Sequence, residues 1–287
     1  MTAATDLSRC LVCGGAADRH TRLDGNLRHC PSCTFTWTAH HLPPTTELYD
    51  ESYFTGDGYE DYYLPRPRRY ESTRRLRWLL RTTRNHPPRT LIEAGSAGGY
   101  FIEAARHAGI TAHGIEISEH AARHAREHLH VPVQHGHFET TTPAHPVDAV
   151  CAFHVLEHVD NPRHFLHAAH HMLNPQGWLA LEVPNIASAA ATRLGTDWPG
   201  LQLRYHRWHF TPESLIRLVT TTGYDVITCD TAVFRYYMPV GYRLRHARRL
   251  VPPDWSGTRS LRLTQPRLGD LLRLVARTRG GTRRERS

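Results

Sequence analysis

Twelve residues constrain the fold more than any others: Thr90 to Phe101, which read Thr-Leu-Ile-Glu-Ala-Gly-Ser-Ala-Gly-Gly-Tyr-Phe. Leu91 and Ile92 form the short apolar run expected of a buried parallel strand. Gly95, Gly98 and Gly99 then supply a turn at which the backbone bends sharply and a ligand can approach closely. Tyr100 to Ala108 has helical spacing, and Gly109 is a natural stop. Strand, glycine turn and helix in this order open a nucleotide-binding half of a doubly wound α/β sheet.

The order of the glycines narrows the ligand. A dinucleotide fingerprint needs G-x-G-x-x-G, which from Gly95 would demand glycine at 97 and 100, where the chain has Ala97 and Tyr100. The loop instead reads G-x-A-x-G and resembles the E/D-x-G-x-G-x-G turn of class I S-adenosylmethionine-dependent methyltransferases. Twenty-one residues beyond Gly95, Glu116 closes Ala-His-Gly-Ile-Glu, a second strand with Ser118 as the cap of the next helix. A carboxylate at a strand tip can accept both hydroxyls of a ribose. An ordinary strand-to-helix turn would show the same glycines, and the spacing to Glu116 is what favours a cofactor site.

Further along, Val147 to Phe153 reads as the fourth strand and runs into His154-Val-Leu-Glu-His158-Val-Asp-Asn-Pro162. The phrase Phe-His-Val-Leu-Glu-His-Val, with the helix, Pro-Gln-Gly turn and strand through Asn185, resembles the post-strand signature of a large methyltransferase family. The resemblance covers roughly residues 45–230. It implies a Rossmann-like class I sheet with helices on both faces and S-adenosyl-L-methionine as cofactor. It also places Glu93, Gly95, Ser96, Ala97, Gly99, Glu116, Ile117, Phe138, Phe153 and His154 against that cofactor. Phe138 follows Gly136-His137, where relatives carry Gly-Asp; here His137 departs from the usual acid.

The same resemblance raises a metal. Related ubiquinone-pathway O-methyltransferases place a divalent ion on Glu-x-x-Glu-His. His154, Glu157 and His158 occupy the corresponding positions, and i, i+3, i+4 spacing puts them on one helical face. The phrase occurs equally in relatives where it braces only the helix and the cofactor loop.

Ahead of the sheet, Cys10-Leu-Val-Cys13 and Cys30-Pro-Ser-Cys33 stand sixteen residues apart. Two C-x-x-C knuckles at this separation match a zinc ribbon, each knuckle presenting two thiolates to one tetrahedral Zn²⁺. Four cysteines leave the ion no open position, so such a zinc is structural. Tyr49 to Tyr63 is too aromatic for a linker and too rich in Gly and Asp for a core helix. It reads as a lid, with Tyr53, Tyr59 and Tyr62 against the cofactor or the acceptor. Arg68 to Arg84 follows as a basic helix.

Substrate contacts are expected from the insertion after the fifth strand, residues 186–210, because ligands sit at the carboxyl ends of strands in open α/β sheets. His206 and His209 there, with His154, are the candidate proton acceptors, since imidazole titrates near neutrality. Trp198 and Trp208 would wall an aromatic or sugar acceptor. Thr211-Pro-Glu-Ser opens another helix, and Gly223 to Ile227 returns as the last sheet element.

Charge separates the body from the tail. All 35 basic residues are arginine, which removes Schiff-base, Walker-lysine and lysine-base chemistry. Residues 235–287 hold fourteen arginines against Asp254, Asp270 and Glu285, more positive than the net +8 of the whole chain. Leu268 to Val275 reads as one amphipathic helix in that tail. A solvated arm, an anionic-lipid surface and a nucleic-acid arm compete for its role; no RNA-binding motif supports the last. No apolar run approaches the roughly 20 residues of a membrane span, and the polar N-terminus carries no signal peptide, so a cytoplasmic protein is expected.

The expected organisation is therefore a zinc-ribbon module at 1–45, a lid and helix at 46–89, a cofactor domain at 90–234 and a basic tail at 235–287. The expected activity is methyl transfer to oxygen, nitrogen or carbon of a small natural-product or sugar intermediate. Another transformation by the same fold, or an inert domain in a nucleic-acid-binding zinc protein, are the alternatives.

Overall fold

The computed structural model describes residues 8–18, 25–49, 53, 63–232 and 269–279. Its centre is a seven-stranded sheet. The parallel strands are β3 (Thr90–Ala94), β4 (Thr111–Glu116), β5 (Val133–His135), β6 (Val147–Phe153) and β7 (Leu173–Pro184), and the antiparallel pair is β9 (Tyr224–Ala232) and β10 (Leu271–Thr278). They lie in the order β5-β4-β3-β6-β7-β10-β9. Chain order reverses between β3 and β6, and that reversal opens a crevice at the carboxyl ends of the strands.

Alternation along the strands divides the core between two faces. Leu91, Ala149 and Cys151 pack with Leu76 and Leu79 of α2 (Pro65–Thr82) and with Phe101 and Ile102 of α3 (Tyr100–His107). Ile92 and Val150 face the other way, onto Phe165 and Leu166 of α5 (Pro162–Met172) and Leu215 and Leu218 of α7 (Pro212–Thr221). Local chemistry sets the helix ends. Ser118 caps α4 (Glu119–His128) by accepting the Ala121 amide, and Thr211 and Ser214 form a reciprocal capping box ahead of Pro212.

The expected tail helix does not form. Residues 271–278 are β10, inserted between β7 and β9 and hydrogen-bonded to both. A strand covered on both faces reads as a nearly continuous apolar run, which Leu271-Leu-Arg-Leu-Val-Ala is. The leucine spacing that looked helical is the same run. The cofactor domain therefore does not end at 234, and β9 is an edge strand rather than the last element. Arg273, a residue assigned to the tail, lies inside the sheet opposite Glu182. The remaining tail arginines at 235–267 and 283–286 lie outside the described residues.

The cysteine module is not a separate unit either. β1 (Leu27–His29) and β2 (Thr36–Thr38) pair with each other, and β2 also pairs with β8 (Trp208–His209), which belongs to the insertion. Phe35, fully buried, stacks on Trp37 and Trp208 at 5.9 Å and meets Phe210 at 5.5 Å. Cys10, Cys30 and Cys33 join the same core as Leu179 and Leu215. A segment this short cannot bury a core alone, and it borrows that of the larger domain. No described helix is long and apolar enough to cross a membrane.

Candidate active site

The switch-point crevice is a cleft of about 730 Å³, including its open mouth. Its floor is the glycine turn. Gly95 has φ +64°, and a Cβ there would stand 2.5 Å from Val155 Cγ2; Gly99, at φ +81°, would collide with Val131 and Ala125. Between them Ala97 holds φ +47° without being glycine, a conformation costing on the order of 1 kcal/mol. That strain aims its amide at Glu116: Ala97 N–H donates to Oε2 at 2.7 Å, and Ser118 N–H donates to Oε1 at 2.9 Å. Glu116 is thus fixed at the cleft wall with one further lone pair on each oxygen. Burial raises its pKa, and the backbone donors act against that.

Gly95, Ala97, Glu116, Ile117, Phe138, Phe153, His154 and Tyr53 all line the cleft. Phe138 lies 4.7 Å from Phe165, and Phe153 meets Phe101 edge-on at 4.8 Å. Glu93, Ser96 and Gly99 support the floor from beneath and are not part of the lining. Glu93 Oε2 is buried with no hydrogen-bond partner among the described residues, and burial holds its carboxyl well above the usual range. Tyr59 and Tyr62 lie outside the described residues. Tyr53 meets Tyr49 edge-on at 4.7 Å and Tyr205 at 5.1 Å.

The three histidines proposed as bases are not equivalent. His209 sits in the small sheet with Nε2 3.1 Å from Thr38 Oγ1, and His206 sits with Nδ1 3.0 Å from the Gly200 carbonyl. Both are fully buried and neither lines the cleft. Burial pushes His209 down to about 3 and His206 well below its ordinary value. His154 lines the cleft at φ +57°, its Nδ1 3.1 Å from Glu157 Oε1 and its Nε2 3.4 Å from Glu182 Oε1. Burial alone would lower its pKa, but these two carboxylates raise it to about 9. At neutral pH it carries its proton already and cannot accept another.

Sequence reasoning passed over Tyr49 as a site residue and weighed His158 only as a metal ligand. Both line the cleft, with Tyr49 Oη 2.5 Å from His158 Nδ1. Tyr49 began the aromatic stretch already singled out, so its residue type was the available signal. Trp198 and Trp208 are buried in packing and do not wall the cleft.

The four cysteines of the knuckles converge. Cys10 and Cys33 Sγ lie 3.4 Å apart, as do Cys13 and Cys30, and all four fall within 4.8 Å of one another as free thiols. A Zn–S bond of about 2.3 Å implies a tetrahedral edge of roughly 3.8 Å, so the donor set and its spacing fit zinc.

Comparison with known proteins agrees with this geometry. The family model described as a methyltransferase domain matches residues 66–229. A ubiquinone biosynthesis O-methyltransferase of Thiobacillus denitrificans is 31% identical over 118 residues, covering 39% of this chain and 50% of the relative. A probable S-adenosylmethionine-dependent methyltransferase of Mycolicibacterium smegmatis is 26% identical over 187 residues, covering 64% and 68%. The chain spans about half the length of the ubiquinone-pathway relatives it matches. Among solved structures, a possible histamine N-methyltransferase of Thermotoga maritima superimposes with TM-score 0.56 at 19% identity, covering 77% of this chain and 93% of that one. A family match over more than half the chain, on a sheet ordered in this way around a glycine turn and an acidic strand tip, makes this protein a member of the methyltransferase-domain family with a Rossmann-like α/β fold.

Proposed function

We propose that the protein is an S-adenosyl-L-methionine-dependent methyltransferase acting on a small natural-product or sugar intermediate. The observation that carries this reading is Glu116, clamped by Ala97 and Ser118 at the tip of β4 in the cleft wall. Its open lone pairs suit ribose hydroxyls, the Gly95–Gly99 turn suits the methionyl part, and Phe138 suits a flat base. When bound, the cofactor supplies an electrophilic sulfonium methyl.

The chain's own part is alignment and exclusion of water, which can provide several kcal/mol of barrier lowering. Gly95–Gly99, Glu116 and Phe138 would hold the cofactor so that the methyl it supplies would face the acceptor's lone pair across the cleft. His206 and His209 are out of reach of the cleft and His154 is already protonated, so the acceptor's proton leaves to solvent or toward the Tyr49–His158 pair. The cysteine cluster is read as a closed, structural zinc site that joins the N-terminal segment to the insertion through β2 and β8. We place the protein in the cytoplasm. For the basic tail at 235–287 the first reading is a solvated arm, with an anionic lipid surface as the partner class it could meet.

Calorimetric titration of S-adenosylmethionine and S-adenosylhomocysteine into wild type and Glu116→Ala tests the core of this proposal. Micromolar binding that weakens at least about tenfold in the variant, roughly 1.4 kcal/mol, is expected. Absence of binding by folded, zinc-loaded wild type would sink the reading. Product analysis with S-adenosylmethionine separates methyl transfer from another transformation on the same fold, such as that of the 4+2 cyclase SpnF, which superimposes with TM-score 0.51.

A further inference from the structure

We propose that the end of the sheet opposite the cleft is a docking face for an anionic lipid surface, built from unpaired arginines around α2, α3 and β10. The proposal rests neither on methyl transfer nor on residues 235–267.

Topology brings these arginines together. α2 and α3 both run away from the cleft edge, so Arg81 and Arg106 stand in their last turns, with Arg84 and Arg89 between α2 and β3. β10 runs antiparallel to β7 and delivers Arg277 opposite Trp178. Hydrogen bonds knit this end into one surface. Trp178 Nε1 donates to the His86 carbonyl at 2.8 Å, Thr278 Oγ1 to the Asn174 carbonyl at 3.3 Å, and Asn174 Nδ2 to Asp148 Oδ1 at 2.9 Å. Asp148 Oδ2 accepts the Arg89 and Thr90 amides at 2.9 and 3.1 Å.

Residues 1–234 hold twenty-one arginines against twenty-four acids, so the body as a whole is not basic. At this end, however, the acids are taken. Asp148 is wrapped by amides, Asp225 holds Arg279 at 2.8 Å, and Glu127 closes α4 at the β5 edge, away from β10. Arg81, Arg84, Arg89 and Arg106 are exposed and Arg277 is half-buried, and none of the five makes an ion pair among the described residues. Arg277 is stacked over Trp178 at 3.9 Å, with Nε buried and without a hydrogen-bond partner among the described residues. Helix dipoles account for a cation in the last turn of α2 and of α3, but Arg84, Arg89 and Arg277 lie outside helices. Beyond Arg279 the sequence adds Arg283, Arg284 and Arg286 against Glu285.

The side chains beside these arginines select the anion. Trp178 is 7% exposed; of the exposed large apolar side chains, Leu64 and Tyr70 open α2 at the cleft edge and Ile227 is aliphatic, on the edge strand β9. With no exposed tryptophan, tyrosine or phenylalanine among the described residues here, there is no ring on which to stack a base. Guanidinium groups alone address phosphates, and each one near an anionic bilayer strengthens binding roughly fivefold. Docked in this way, the protein keeps its cleft open to water.

The test is sedimentation of the full chain with vesicles of phosphatidylcholine containing phosphatidylglycerol, against vesicles of phosphatidylcholine alone. Wild type should bind the first kind only, and less as salt rises. The triple variant Arg84→Gln, Arg89→Gln, Arg277→Gln should bind at least about tenfold more weakly. The corresponding triple lysine variant should stay within about threefold of wild type, because the surface potential acts on charge. No binding, equal binding to both vesicles, an unchanged glutamine variant, or a lysine variant as weak as the glutamine one overturns the proposal. Hydrogen exchange on wild type gives a readout independent of the variants. Phosphatidylglycerol vesicles should protect amides of 81–90, 105–109 and 276–279, and protection confined to 235–267 overturns the assignment. A single-stranded oligonucleotide that binds more tightly than the vesicles at equal salt and protects the same amides overturns it in favour of nucleic acid.

Discussion

Two buried carboxylates, Glu182 and Glu157, flank His154 and meet opposite company. Glu182 is saturated with donors: Arg75 Nη2 at 2.6 Å and Nε at 2.9 Å on one oxygen, Arg273 Nε at 2.5 Å on the other. Burial would raise its pKa, yet Arg273 and Arg75 hold it well below the carboxylate range. Glu157, equally buried, has His154 Nδ1 at 3.1 Å and His158 Nε2 at 3.9 Å, both on Oε1. The first is a closed network joining α2, β7 and β10. The second rests on one imidazole, His154, which it shares with Glu182. A buried acid whose donors are complete holds a fold together, and one with fewer donors contributes less to it.

The largest effect expected from breaking this contrast is at Glu182. Glu182→Gln leaves two arginines buried against a neutral group and should cost about 3–5 kcal/mol by chemical denaturation. A loss under 1 kcal/mol would show that the network is solvated and the contrast false. His154 comes next. Its folded pKa of about 9 exceeds the ordinary value of 6.5, so its stabilisation is complete below about pH 6.5 and lost as pH rises through 9. Denaturation of wild type against His154→Gln should therefore differ by about 2–3 kcal/mol at pH 6 and converge by pH 10. A constant gap would mean that the imidazole is neutral throughout.

Glu157→Gln should cost only about 1 kcal/mol, because one charge-assisted bond from His154 weakens while Glu182 still faces that imidazole. A loss as large as that at Glu182 would make the two acids alike. His209→Gln is the smallest change. Glutamine can keep a hydrogen bond to Thr38, and turnover should stay within about threefold, under 1 kcal/mol. A collapse in kcat with binding intact would return His209 to the chemistry.

Much of the cofactor half was legible because short-range rules fix it. Gly95 and Gly99 stand where a Cβ would strike Val155, Val131 or Ala125, so the turn is written in residue types. Glu116 at a strand tip, Ser118 as a cap and Thr211 with Pro212 at a helix start are local chemistry as well. The acceptor side was less legible. Which histidine faces the cleft depends on side-chain direction over some fifty residues of separation, and His206 and His209 point into packing while His158 does not.

By itself the sequence determined the glycine turn, its acidic partner and the two cysteine knuckles. Each rests on contacts within a turn or on a spacing that the chain carries along itself. Only the tertiary structure decided that 271–278 is an interior strand, that the knuckles share the main core through β8, and that His206 reaches Glu157. The physical reason is common to all three. An apolar run, a short sheet edge and a neutral imidazole are each compatible with several partners, and partners distant in sequence are chosen by what the assembled core leaves unpaired.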